Sequence, residues 1–154
     1  MTTSVEKVIL APRERQVIKG LANGSTLAAV ALNLKITKNT AASYLKNAKY
    51  KLRGVTENSA ALAVAYATEA IDRPDLLAHE GLLLPCEQRE LVPLIARGMR
   101  ATQMAIKLKR SVDLTRRDAR QLMANLQARN PAHLVTRSWQ YQIITAEQVL
   151  AWLP

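Results

Sequence analysis

The chain reads as an all-α protein built of two tandem four-helix domains. Three observations point there: an aliphatic composition rich in Ala and Leu, apolar residues at helical spacing between good capping residues, and an internal repeat. Apolar residues make up 49% of the 154, aromatics only 4%, and Phe is absent, so any core is Leu, Ile, Val and Ala. Such residues with few strand-type runs favour helices. There is no uninterrupted apolar tract of the ~18 residues needed to span a bilayer. The N-terminus lacks the basic start and apolar core of a secretory signal. The single cysteine, Cys86, excludes an intramolecular disulfide framework and fits a reducing cytoplasm.

The repeat sets the architecture. Leu10, Arg15, Ala22 and Gly24 recur as Leu84, Arg89, Ala96 and Gly98; Val17/Ile18 recur as Leu91/Val92, and Leu21 as Ile95. The register continues through Ala31 with Ala105, Leu34 with Leu108, Lys35 with Lys109, Thr37 with Ser111, and Leu52 with Leu126. Two residues then drop out of the second copy, after which Asn58, Ala60 and Leu62 match Asn130, Ala132 and Leu134. The domains are therefore drawn as 1–73 and 84–154, joined by a polar linker at 74–83 that contains Pro74.

In the first copy, Pro12 suits the opening position of a helix whose inner face is Val17, Ile18 and Leu21, with Gly24 as its stop. A second helix is expected from about Thr26 to Leu34, burying Val30, Ala31 and Leu34. Lys35-Ile36 make a tight turn, and Thr37 caps a third helix over roughly residues 38–53. Its inner stripe is Ala41, Leu45, Ala48 and Leu52. A fourth helix is expected from Asn58 towards Ile71. The second copy uses Ser111 as cap, Asp113 in the positive first turn and Thr115, Ala119, Leu122 and Leu126 as inner stripe, with Asn130-Pro131 opening its fourth helix. Pro93 falls inside the first helix of this copy and predicts a kink or a delayed start. The tail after Ser138, with Trp139, Tyr141 and an amphipathic piece from Thr145 to Leu153, is expected to pack back on the second domain.

Two short helices joined by a tight turn, the second longer and basic on its outer face, describe a helix-turn-helix. The outward positions are Ala42, Ser43, Lys46 and Lys49 in the first copy, and Arg116, Arg117 and Arg120 in the second. The net charge of +10 favours a polyanionic partner, and both halves are basic. An arginine fork can meet the two major-groove acceptors of guanine, whereas lysines near helix ends meet phosphates and position without reading.

The segments Leu10-Ala-Pro-Arg-Glu-Arg-Gln-Val, Leu21-Ala-Asn-Gly and Thr37-Lys-Asn-Thr-Ala-Ala-Ser-Tyr-Leu-Lys-Asn-Ala-Lys-Tyr-Lys-Leu52 resemble the LuxR/NarL-type DNA-binding domain over about residues 8–71. Residues 84–138 resemble a second, more divergent copy. The resemblance implies a third helix in the major groove of double-stranded DNA. Base contacts then fall on Ala42, Ser43, Lys46, Arg116, Arg117 and Arg120, and phosphate contacts on Thr37, Lys38, Thr40, Lys49, Lys51 and Ser111. It also implies dimer contacts from fourth helices. Departures from the family pattern stand at Ala42, which is usually basic, and at Tyr44 and Asp118, which are often His. A carboxylate at Asp118 near a phosphate backbone would be repelled unless Arg117 or Arg120 neutralised it. No sensor module is expected before the first helix.

The segment Ser59–Ile71 is apolar nearly all round, which a small domain cannot bury alone. Either it packs against the second copy as an internal pseudo-dimer, or it forms a homodimer with another chain. His79 and His133 are expected in surface or packing roles, Cys86 as a small buried side chain, and Trp139 and Tyr141 as tail packing. No metal-spaced cluster, phosphate-cradling glycine loop or nucleophile motif is present, so no enzymatic activity and no cofactor are expected. The function expected is a cytoplasmic, nucleoid-associated transcriptional regulator, with recognition helices about one turn (~34 Å) apart. The alternative is an adaptor with degenerate DNA reading that binds RNA polymerase, a sigma factor or another regulator. On the first reading Arg120→Ala relaxes sequence preference, while Lys51→Ala weakens binding to all sequences alike.

Overall fold

The computed structural model describes residues 7–78 and 82–153; His79 lies outside them. Among the described residues the elements are all helical: α1 (Pro12–Ala22), α2 (Leu27–Leu34), α3 (Lys38–Lys51), α4 (Asn58–Ala67), α5 (Cys86–Arg89), α6 (Leu91–Ala96), α7 (Ala101–Leu108), α8 (Val112–Asn125), α9 (Pro131–Gln140) and α10 (Ala146–Trp152). None of these helices is long and apolar enough to cross a membrane.

The helix starts are dictated locally. Side-chain oxygens of Thr26, Thr37, Ser111 and Asn130 accept the backbone N–H of Ala29, Thr40, Leu114 and His133 at 2.9–3.1 Å, satisfying amides that have no intrahelical partner. Pro93 has the expected effect, and the first helix of the second half breaks at Glu90 into α5 and α6. The restart places Pro93 in the first turn of α6, where its missing N–H deprives no carbonyl of a partner. Left-handed residues recur at one constant spacing: Gly24 with Gly98, Lys35 with Lys109, and Arg53 with Gln127. The two halves thus repeat one backbone path, turn by turn.

The halves are joined by their fourth helices. Every residue of α4 from Ser59 to Ala67 is buried, chiefly against α9, with α1, α6 and α10 around it. One apolar cluster runs from Val17, Leu45 and Leu52 in the first half through α4 to Ala132, Val135 and Trp139 of α9. A second cluster, with Leu91, Leu122 and Leu134, fills the other half. The apolar face of Ser59–Ile71 is therefore closed within the chain. Of the two coverings expected for this segment the internal one is formed, and Ala70 and Ile71 are buried as well.

The join is reciprocal. Helix α1 packs on α9, and α6 packs on α4. Gly24, just past α1, sits against Arg129 and His133 at the start of α9; Gly98, just past α6, sits against Glu57 and Ala60 at the start of α4. Polar contacts reinforce both sides. The Asn130 side-chain amide donates to the Gly24 carbonyl at 2.9 Å, and the Arg100 guanidinium lies 3.8 Å from the Glu57 carboxylate.

Three expectations change. The tail helix α10 packs mainly on α4 of the first half and less on α6, because Val149 joins the shared cluster. Trp139 belongs to α9 and is buried. Tyr66 packs beside its ring and the Arg73 guanidinium lies 5.1 Å over it, which pins the chain as it leaves the first half. Cys86 is exposed, since a helix of only four residues starting after Pro85 directs it outward, its sulfur 3.7 Å from the Glu90 carboxylate. His133 has the packing role expected: its Nδ1 accepts the Arg129 N–H at 3.1 Å. Burial, then the charges of Arg137 and Arg129, depress its pKa.

Two glycine substitutions separate backbone strain from the contact between halves. Gly54 has φ +71° and nothing within 4 Å of an added Cβ, so Gly54→Ala should cost only the left-handed penalty of about 1–2 kcal/mol. At Gly98 (φ +86°) an added Cβ would lie 2.9 Å from the Cβ and Cγ of Glu57, so Gly98→Ala should cost roughly 1–3 kcal/mol more through overpacking. Urea unfolding of both variants measures the difference; equal losses would mean that the reciprocal contact is slack.

Candidate nucleic-acid interface

Helices α3 and α8 each follow a short helix and a left-handed turn residue, Lys35 (φ 59°) and Lys109 (φ 55°). Each turns one stripe inward: Ala41, Leu45 and Ala48 in α3, and Thr115, Asp118 and Leu122 in α8. The opposite side of α3 exposes Ala42, Ser43 and Lys46, and that of α8 exposes Arg116, Arg117 and Arg120. Lys38, Thr37, Thr40 and Ser111 are exposed at the helix starts. The Thr37 and Thr40 hydroxyls lie 2.8 Å apart, and the Ser43 hydroxyl donates back to the Asn39 carbonyl at 3.2 Å.

Two lysines expected at phosphates are engaged within the protein. Lys49 is half-buried and its Nζ donates to the Thr56 carbonyl at 2.9 Å, bracing the turn between α3 and α4. Burial depresses its pKa, against which the Glu57 charge acts in the other direction. Lys51 turns back to α1, its Nζ 2.8 Å from Oε1 of the buried Glu14. At the matching positions of the second half the Asn125 amide donates to the Gln88 Oε1 at 2.7 Å, and Gln88 is likewise buried. Helices α3 and α8 are thus each tied by the last turn to the first helix of their own half, ionically in one case and through amides in the other. A side chain held in such a tie is a support for the helix, which explains why it does not project with the outer stripe.

The two inward departures also find a place. Asp118 is buried, with Oδ1 3.6 Å from the Arg117 guanidinium, and Tyr44 packs half-buried against the core. Neither faces the outer stripe, and Asp118 has Arg117, one of the two arginines expected to offset it, beside it. The outer stripe also carries Asn39 and Tyr50 in α3, the latter 83% exposed, and Asp113 in α8. The spacing 39, 43, 46, 50 along one helix face marks the first two in the sequence. Between the halves lies a cleft of about 630 Å³ bordered by Lys49 of α3 and by Ala119, Arg120 and Met123 of α8.

The Glu14 tie has a pH signature. Burial alone raises its pKa, but hydrogen bonds from Lys51 and the Ala11 amide and the Lys51 charge outweigh that and hold it low. A carboxyl depressed in the folded state stabilises above its unfolded value, about 4.3, and loses that contribution as pH falls through the lowered value. Lys51→Ala should cost about 1–3 kcal/mol at pH 7 by leaving a buried acceptor short of its partner. The double variant Glu14→Gln/Lys51→Asn, which copies the second half's pair, should recover most of it and flatten the loss of stability below pH 4. Urea titrations at pH 7 and pH 3.5 test this; a double variant as weak and as acid-sensitive as Lys51→Ala would refute it.

Residues 8–65 match the family described as bacterial regulatory proteins, luxR family. No curated protein and no solved structure matches the chain. The matched span begins just before α1 and ends within α4, so it contains the paired helices α2 and α3, their left-handed turn and the α3 stripe. Over residues 8–65 the chain is therefore similar to the helix-turn-helix domain of the luxR family of bacterial regulatory proteins.

Proposed function

We propose that the chain is a sequence-specific regulator of transcription, acting in the cytoplasm at the nucleoid, that holds duplex DNA with two helix-turn-helix units, residues 1–73 and 84–154, joined by 74–83. The observation that carries this reading is the recurrence, in both halves, of a capped 14-residue helix with one stripe packed and the opposite one exposed and cationic. The family match over residues 8–65 supports it for the first unit. For the second the support is the shared backbone path and the matching tie.

In this reading Arg116 and Arg120 read guanine through paired acceptors, Arg117 less so because Asp118 holds it. In α3, Ser43 and Lys46 read with Asn39, whose amide suits adenine, and Ala42 supplies an apolar contact. Lys38, Thr37, Thr40 and Ser111 meet phosphates; Lys49 and Lys51 do not. An adaptor with degenerate DNA reading would rest on the departures at Ala42, Tyr44 and Asp118, and the inward placement of Tyr44 and Asp118 leaves only Ala42 in its favour.

Fluorescence titration with selected duplexes tests the assignment. Arg120→Ala should cost about 1–3 kcal/mol on the preferred duplex and less on others, whereas Lys38→Ala should weaken all duplexes alike and reduce the salt slope by about one. Equal losses on every duplex from Arg120→Ala would remove the base-reading role. No binding even at low salt would favour the adaptor.

A further inference from the structure

We infer that a single chain, without a partner copy, recognises an imperfect inverted repeat whose two arms differ in sequence. The inference rests on the DNA-binding reading above and adds to it the orientation, inequality and stoichiometry of the half-sites. It starts from the reciprocal join. When surface i of one unit meets surface j of the next and j of the first meets i of the second, the units are related by a two-fold rotation; a head-to-tail join gives no such reciprocity. Here α1 meets α9 while α6 meets α4. The glycine after the first helix of each half meets the start of the other half's fourth helix, Gly24 at Arg129 and Gly98 at Glu57. The chain therefore carries an approximate two-fold axis between α4 and α9.

The cleft between the halves lies on that axis, because both members of matched pairs line it: Leu21 with Ile95, Ser25 with Met99, Lys49 with Met123. Lys49 belongs to α3 and Met123 to α8, so both helices border this cleft, and a two-fold axis through it sets them in opposite senses. A duplex spanning them presents arms related by its own local two-fold, that is, an inverted arrangement.

The arms are unequal because the reading faces are. At matched places on the two stripes stand Ala42 and Arg116, Ser43 and Arg117, Lys46 and Arg120, Asn39 and Asp113. The α8 arm should contain guanine for Arg116 and Arg120, with Asp113 suited to a cytosine amine. The α3 arm lacks any arginine reader. One chain suffices, since the α4 face that a second copy would need is buried under α9 and α10. The inequality fixes the direction in which the chain lies on DNA, which a symmetric dimer cannot do.

Selection from a random double-stranded pool by the full chain tests the inference. The enriched site is inverted with unlike arms, only one of which loses its preference in the variant Arg116→Ala/Arg120→Ala. Turning one arm in place to make a direct repeat, or deleting it, lowers affinity roughly 100-fold, the usual gain from linked sites, and sedimentation finds one chain per duplex. Equal affinity for direct and inverted arms, identical arms, or two chains per site would overturn this inference while leaving DNA binding intact. No enrichment at low salt would sink the DNA-binding reading, and this one with it.

Discussion

The packing of α4 against α9 is the constraint on which the molecule depends. Helix α4 is apolar on every side, so it cannot sit on the surface of either half. Its alanines, Ala60, Ala61, Ala63, Ala65 and Ala67, are all buried and let neighbouring helices approach closely. Leu62 and Val64 supply bulk, each worth about 1.5–3 kcal/mol when removed from water. Because the partner helix comes from the same chain, association costs no translational freedom, and the distance and angle between α3 and α8 follow from how two helices seat. The spacing of α3 and α8 is therefore independent of concentration.

That seating also explains where polar groups are spent. Tyr66 donates to or accepts from Thr136 at 2.9 Å across the join, and burial raises its pKa despite that bond. Arg73 donates to the Tyr66 carbonyl at 3.0 Å while covering Trp139. The Leu77 N–H donates to the Gln140 carbonyl at 2.9 Å. The connection between halves is thus held by backbone and aromatic contacts over its first residues, instead of swinging as a linker of its polar composition would.

The ties at the ends of α3 and α8 show one geometric need met by two chemistries. A 14-residue helix that projects beyond its core needs an anchor at its last turn. Glu14 with Lys51 and Gln88 with Asn125 occupy matched positions and bridge the same pair of elements. The amide pair is insensitive to pH; the ionic pair adds charge complementarity but requires a buried carboxylate to stay ionised.

Much was legible in the sequence because its signals are local. Caps at Thr26, Thr37, Ser111 and Asn130, the break at Pro93, the glycine stops and the inner stripes depend on residues within one or two turns of each other, and the repeat let one half vouch for the other. The all-round apolarity of Ser59–Ile71 announced that something must cover it. What covers it was a tertiary decision, since composition does not distinguish a partner helix in the same chain from one in another. So too were the fates of Lys49, Lys51 and Asp118. On a helical wheel their charges read as surface, yet Lys51 meets a carboxylate far away in sequence and Asp118 turns beneath Arg117. The sequence by itself determined the elements, their order and which helices bear positive charge. Only the three-dimensional packing determined which of those charges remain available, because a long side chain's partner is chosen by proximity in space.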